Sequence, residues 1–258
     1  MPNDTPSGEA HMHTQTTATL PEVYSFFVQD PPLRTIHTQA ELDTALDNPD
    51  WLRFTPGPDS DLTFTHSNRN HYLHGPGTLT AVTGGYLDAS DNATITTVTG
   101  GSVSLKDSTI TTVTGGVASA VGHSTITEVT GGEAIAHGHA TITTVTGGRA
   151  SASDNATITT VTGGIANASD NATITTVTGG DVVAYDQATI TAVTGGTVYL
   201  FGNSSAYVPA GTDAVIHIYD NAHLTADSGT IHIHTTDATI TNNGATIGDP
   251  DIGPDISA

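Results

Sequence analysis

The sequence predicts an all-β protein: a parallel β-solenoid of 16-residue, two-strand coils with a small α+β cap at the N-terminal end. Three observations predict it. The peptide ASDNATITTVTGG occurs three times, ending at Gly101, Gly164 and Gly180. The first glycine of each Gly-Gly pair falls at Gly84, Gly100, Gly115, Gly131, Gly147, Gly163, Gly179 and Gly195, a period of sixteen with one step of fifteen. Each unit divides into two similar halves, such as DNATITTV and TGGRASAS, and each half holds a turn pair, a small residue and an alternating run. A fixed period of this length is the mark of a stacked repeat.

Composition narrows the field of functions. Of 258 residues only 36% are hydrophobic and 5% aromatic, so the core must be thin. Lys and Arg number 5 against 26 Asp and Glu, a formal net charge of −21. Counterion-release binding to a phosphate backbone, or attraction to an anionic membrane, has almost no cations to draw on. Nucleic acid and membrane are therefore excluded as expected partners. Cysteine is absent, which removes disulfides, thiolate nucleophiles and cysteine-ligated zinc. No apolar run approaches a spanning helix, and the opening MPNDTPSGEAHMHTQTTATLPEV lacks the charged start and apolar block of a secretory signal. The chain thus reads as cytoplasmic, virion-associated or exported by a non-classical route.

Residues 1–20 read as a disordered arm. Residues 21–76 read as a capping region: Thr38 and Glu41 make a capping box for a helix at about 38–48, with Leu42, Ala45 and Leu46 as its apolar strip and Pro49 as its stop. WLRF and LTFTH read as short strands covering the first coil, whose open edge would otherwise recruit other chains. Residues 77–201 form the regular solenoid, 202–247 its less regular continuation, and 248–258 an acidic, proline-punctuated tail.

Within the regular coils, neighbours on a strand face opposite sides. Ala93, Ile95, Val103 and Leu105 point in, while Thr94, Thr96, Ser102 and Ser104 point out. Ile110, Ile126, Ile142, Ile158, Ile174 and Ile190 make one inner column, facing Ala118, Ala134, Ala150, Ala166, Val182 and Val198. Asp-Asn or Gly-His at one corner and Gly-Gly at the other tolerate positive φ. The fifteen-residue step reads as loss of the alanine, KDSTIT standing where other coils have SDNATIT. Paired glycines and β-branched residues at these positions rule out a helix. Eight coils stacked at about 4.7–4.9 Å give a slab about 35–40 Å long.

Stacking puts Thr78, Thr94, Thr109, Thr125, Thr141, Thr157, Thr173 and Thr189 in one outward column. Thr80, Thr96, Thr111, Thr127, Thr143, Thr159, Thr175 and Thr191 form a second. Neither column is broken. They are spaced about 6.6 Å along the strand and about 4.7 Å between coils, a grid of methyls and hydroxyls. The opposite face runs Tyr86/Asp88, Ser102/Ser104, Val117/Ser119, Glu133/Ile135, Arg149/Ser151, Ile165/Asn167, Asp181/Val183 and Thr197/Tyr199, without pattern. Duplication copies both faces together, so one face has been held while the other drifted. Threonine is also a good strand residue that stacks on itself, and a purely structural ladder is the competing explanation.

AVGHSTIT, AHGHATIT and AYDQATIT resemble the octapeptide of bacterial ice-nucleation proteins, whose sixteen-residue coils carry an outward Thr-x-Thr. The array is also similar to that of β-solenoid antifreeze proteins. This resemblance implies a flat face that orders water and adsorbs to ice through the sixteen threonines named above, with no chemistry and no cofactor. An octad solenoid preceded by a segment like IHTQAELDTAL also resembles repeat proteins of actinobacteria and their phages. That alternative implies a structural or adhesive component with a protein partner or a homo-oligomer.

Other constellations are weaker. His232 and His234 share a strand face and His217 lies about one coil earlier, a possible surface metal site, although exposed histidines are more often solvated. His123 and His139 read as corner residues in a ladder. Asp91, Asp107, Asp154, Asp170 and Asp186 recur at that corner, but their spacing does not fit a calcium-binding nonapeptide. The carboxylates sit singly or at corners with no sugar platform, so no catalytic residue is assigned and the chain is not expected to be an enzyme.

Overall fold

In the computed structural model, residues 31–47, 50–65 and 70–248 are described. The expected N-terminal arm, Pro49 and the acidic stretch beyond residue 248 lie outside the described residues. The described chain is an all-β parallel solenoid of about thirteen coils with one short helix. Fourteen strands, from Arg34–Ile36 to Thr246–Gly248, form one sheet. Twelve, from Thr63–Phe64 to Thr239–Asn242, form the other. The second carries the threonine columns and is called the threonine sheet below; the first is the variable sheet.

Each strand pairs with the equivalent strand of the next coil, parallel and without offset. Thr125 lies over Thr141, Ile126 over Ile142 and Val129 over Val145, and the pattern continues to Val177 over Val193. Like therefore stacks on like, and a one-residue slip would turn the core outward.

The fifteen-residue step corrects one expectation. Ser90 pairs with Lys106 and Thr94 with Thr109, and the Asn92 amide donates to the Asp107 carbonyl at 2.9 Å. Ser108, 4% exposed, takes the buried place of Ala93. The residue lost is the corner asparagine rather than the alanine, because a turn can be shortened where a core position cannot be vacated.

The core is as narrow as the composition requires. Ile95 and its stacked equivalents are fully buried and face small residues such as Ala118, Ala134, Ala150 and Ala166. Simple alternation does not reveal a second inner column. Val98, Val113, Val129, Val145, Val161, Val177 and Val193 are buried as well, three residues beyond each isoleucine. Two inward residues three apart require a bend between them, so the strand turns at Thr96–Thr97. In the coils carrying Ala118/Ala120, Ala134/Ala136, Ala150/Ala152 and Ala166/Ala168, the large residues of one sheet are set against paired alanines of the other.

The Gly-Gly corner sets how closely coils approach. A Cβ on Gly147 would lie 2.5 Å from the Thr130 carbonyl oxygen, and one on Gly148 would lie 2.7 Å from the Gly131 carbonyl carbon. Gly148 also has φ of +66°. At the opposite corner Asp91, Asp107, Asp154, Asp170 and Asp186 adopt positive φ, and Gly122, Gly138 and Gly202 take the same place in other coils.

Coils begin well before residue 77. Arg34–Ile36, Arg53–Pro56 and Asn70–His74 already belong to the variable sheet, in register with Tyr86–Ser90. Helix Gln39–Leu46 starts at the expected capping box, with Thr38 accepting from the Glu41 amide and the Glu41 carboxylate accepting from the Thr38 amide. Hydrogen bonds from the His37 and Thr38 amides hold the Glu41 carboxyl below its ordinary value. Leu42 and Ala45 are buried beneath it. The Gln39 side-chain amide donates to the Thr63 carbonyl and accepts from the Thr63 amide, both at 2.8 Å. It pairs with this terminal strand as a further strand would, and so blunts the sheet edge.

Two substitutions test this packing by urea unfolding. Gly148→Ala is expected to lower stability by at least about 2 kcal/mol, from left-handed strain plus the backbone clash. Ser204 is fully buried and its hydroxyl has no hydrogen-bond partner among the described residues, while alanine holds the same corner place in neighbouring coils. Ser204→Ala is expected to raise stability by about 1 kcal/mol.

Candidate functional site

All sixteen predicted threonines lie on the outer face of the threonine sheet. The first column is half-buried except at its ends, Thr78 and Thr189, which are exposed. The second is exposed at Thr96, Thr111, Thr127 and Thr191 and half-buried at the other four. Each strand from Thr78–Val82 to Thr189–Val193 is held on both sides by parallel pairing, so the side chains stand on a fixed backbone. Among these strands Glu128 is the one charged residue.

The hydroxyls divide into two kinds. In the two predicted columns none makes a hydrogen bond within the described protein, apart from Thr189, which accepts from Ser205 at 3.3 Å. A further column, missed by the sequence reading, behaves differently. Thr83, Thr99, Thr114, Thr130, Thr146, Thr162, Thr178 and Thr194 precede the paired glycines, and each hydroxyl approaches a main-chain carbonyl of the preceding coil at 3.2–3.5 Å. The amides of the same residues donate to the same carbonyls at 2.7–2.9 Å. The hydroxyl contacts are long for an O–H···O bond and therefore weak. Their signal in the sequence was plain, since the VTGG threonine is as unbroken as the other two columns.

The grid continues beyond residue 201 as Ser205, His223 and Thr239 in one column and Tyr207, Thr225 and Thr241 in the other. Tyr207 interrupts the run of threonines: it is 38% exposed and donates its hydroxyl to Asp227 at 2.7 Å. Asn243 donates to the same carboxylate at 2.7 Å. These donors, Asn243 first, hold the Asp227 carboxyl below its ordinary value, while the bond to Asp227 pushes the Tyr207 phenol up.

The variable sheet carries the remaining candidates. His217 is 5% exposed, not solvated as expected, and it lies between Tyr199 and His232 with ring centroids 4.7 and 4.8 Å away. A parallel stack runs Tyr185, Phe201, Tyr219 and His234 at 5.4, 4.5 and 4.4 Å. Sequence reading missed these stacks because the coils there vary in length. Within each stack the inner rings cover one another's faces, while Tyr185 at one end is 38% exposed. Among the described residues no group of three or more His, Asp or Glu has the arrangement of a metal site.

His123 and His139 stack at 5.7 Å at the corner, where they were placed. The corner aspartates accept main-chain amides of the neighbouring coil: His123 to Asp107 at 3.0 Å, Gly138 to Asp154 at 3.1 Å and Gly202 to Asp220 at 2.9 Å. Burial pushes the half-buried Asp88 carboxyl up. Ser90, His74 and Asp91 cluster, but His74 meets both the Ser90 hydroxyl and the Asp91 carboxylate through Nδ1, while Nε2 faces the Arg53 guanidinium at 2.9 Å. Arginine can only donate, so Nε2 is already an acceptor there. The cluster ties coils together.

Fold and face define a two-sheet parallel β-solenoid with one regular threonine face. Set against family models, curated proteins and solved structures, the chain matches none.

The two kinds of threonine can be separated experimentally. Thr146→Val with Thr162→Val is expected to cost no more than about 1 kcal/mol in urea unfolding, given the length of the bonds removed. A loss of several kcal/mol would show that this column clamps the coils.

Proposed function

We propose that this is a non-catalytic surface-recognition solenoid whose double threonine column adsorbs to ice. The observation that carries the reading is that fifteen of the sixteen hydroxyls in those two columns make no hydrogen bond within the described protein, Thr189 being the exception. A ladder kept for stability alone would be expected to bond coil to coil, as the Asp corner does. These hydroxyls instead face outward in register, each with a methyl beside it, at a repeat fixed by backbone hydrogen bonds. Such a face offers water a lattice of weak donors, acceptors and apolar contacts at constant spacing. Many such contacts acting together on a rigid plane hold a solid surface without any single strong bond, because little conformational freedom remains to be lost. The absence of charge on these strands, Glu128 excepted, avoids strongly hydrated groups at the contact.

The VTGG threonines favour a second reading, in which the chain is a structural or adhesive component. They show that an unbroken column can serve coil stacking. That reading places recognition on the variable sheet or the aromatic N-terminal coils.

Thermal hysteresis with ice-crystal shaping tests the proposal. The protein is expected to open a freezing gap and produce faceted crystals. Thr141→Tyr with Thr157→Tyr should remove most of the gap and leave the circular dichroism unchanged, while Ser151→Tyr on the variable sheet should leave both intact. Glu128→Thr should widen the gap. Round, freely growing crystals with the unaltered protein would overturn the reading.

A further inference from the structure

Both sheets stop at the same coil. Thr239–Asn242 is the last strand of the threonine sheet and Thr246–Gly248 the last of the variable sheet, and among the described residues each is paired on one side only. In the coil before, the carbonyls of Ala222 and Ala226 accept the amides of Thr239 and Asn243. Ala238 and Asn242 hold the equivalent places in the last coil, where no further coil follows among the described residues. The inner rows end there too. Ile247 stands over the buried Ile231 yet is 52% exposed, and Ala238, Ile240 and Ala245 are only partly buried against the core.

We propose that this end is a dimerisation surface, on which a second copy of the chain docks by the same end about a two-fold axis perpendicular to the sheets. Such an axis sets Thr239–Asn242 antiparallel to its own copy and Thr246–Gly248 antiparallel to its own copy. One operation thus pairs the open edges of both sheets and lays the two uncovered ends of the core on each other. The opposite end of the threonine sheet does not offer this contact, because the Gln39 side chain already occupies both main-chain groups of Thr63. Head-to-tail growth is therefore blocked, and the contact closes at two copies.

Charge and sequence also select a second copy. Histidines apart, residues 230–248 contain one charged side chain, Asp237, in a chain of net charge −21. Two acidic copies can meet here with few carboxylates opposed. The ten residues that follow, DPDIGPDISA, suit the edge poorly, since Pro250 and Pro254 lack the N–H that a pairing strand donates. The two edge strands have four and three residues, so the contact is smaller than the roughly 800 Å² per partner of a standard interface. The dimer is accordingly weak, and salt strengthens it by screening the remaining repulsion. The same axis leaves both threonine faces on one side and doubles the length of the grid; that consequence rests on the ice-binding reading, whereas the dimer does not.

Sedimentation equilibrium on the full chain, without ice, tests the dimer. Between roughly 10 μM and about 1 mM protein the mass should rise from 26.3 kDa toward twice that value, and further in about 0.5 M than in about 0.1 M NaCl. Ile247→Glu should weaken association about tenfold or more, with circular dichroism unchanged. Ile165→Glu adds the same charge to the variable sheet, where Ile165 is 38% exposed, and should leave association as it was. A mass of 26.3 kDa throughout overturns the proposal, as does growth beyond two copies or a dimer that Ile247→Glu leaves intact. Association that appears only once residues 249–258 are removed also overturns it and assigns the end to that segment.

Discussion

Everything in this molecule depends on coils stacking in register at backbone contact distance. At the Gly-Gly corner the main chain of one coil lies where a side chain would otherwise stand: a Cβ on Gly116, Gly132 or Gly164 would meet the preceding coil at 2.6–2.7 Å. The second glycine must also take positive φ, which a side chain resists. With the corner fixed, each residue is carried onto its counterpart in the next coil, and the chain can repeat small units without a large core. Low hydrophobic content then suffices, since paired alanines on one sheet accept isoleucine and valine from the other.

The same stacking makes both the order and the electrostatic load of the protein. Asp154, Asp170 and Asp186 follow one another at the same corner, the carboxylate of each accepting a main-chain amide of the preceding coil's turn at 3.1–3.5 Å. Their repulsion is set against charge-assisted hydrogen bonds from main-chain amides. The net charge of −21 adds a repulsion between copies that any association would have to overcome. The threonine strands stay almost free of charge within this acidic background.

Much of this was legible in the sequence, because a period of sixteen with turn residues at fixed places leaves few alternatives. The Ile95 column, the capping box at Thr38 and Glu41, and the positive-φ corners all follow from local rules. The Val98 column was not legible, since alternation fails where a strand bends and the bend is decided by packing. The coils before residue 77 lack the repeat motif, and the aromatic stacks through His217 and Tyr219 join coils of unequal length, so the period could not reveal them. The sixteen threonines could be placed outward from sequence. Which hydroxyls lack a partner required the structure, because the VTGG threonine looks the same on paper.

The most direct measurement of the central claim is growth of a single ice crystal in a solution of the fluorescently labelled protein, followed by imaging of its surface. The account predicts fluorescence on defined crystal planes, lost when Thr141 and Thr157 are replaced by tyrosine. Uniform exclusion of the unaltered protein from the ice would contradict it and leave the threonine columns as a structural ladder.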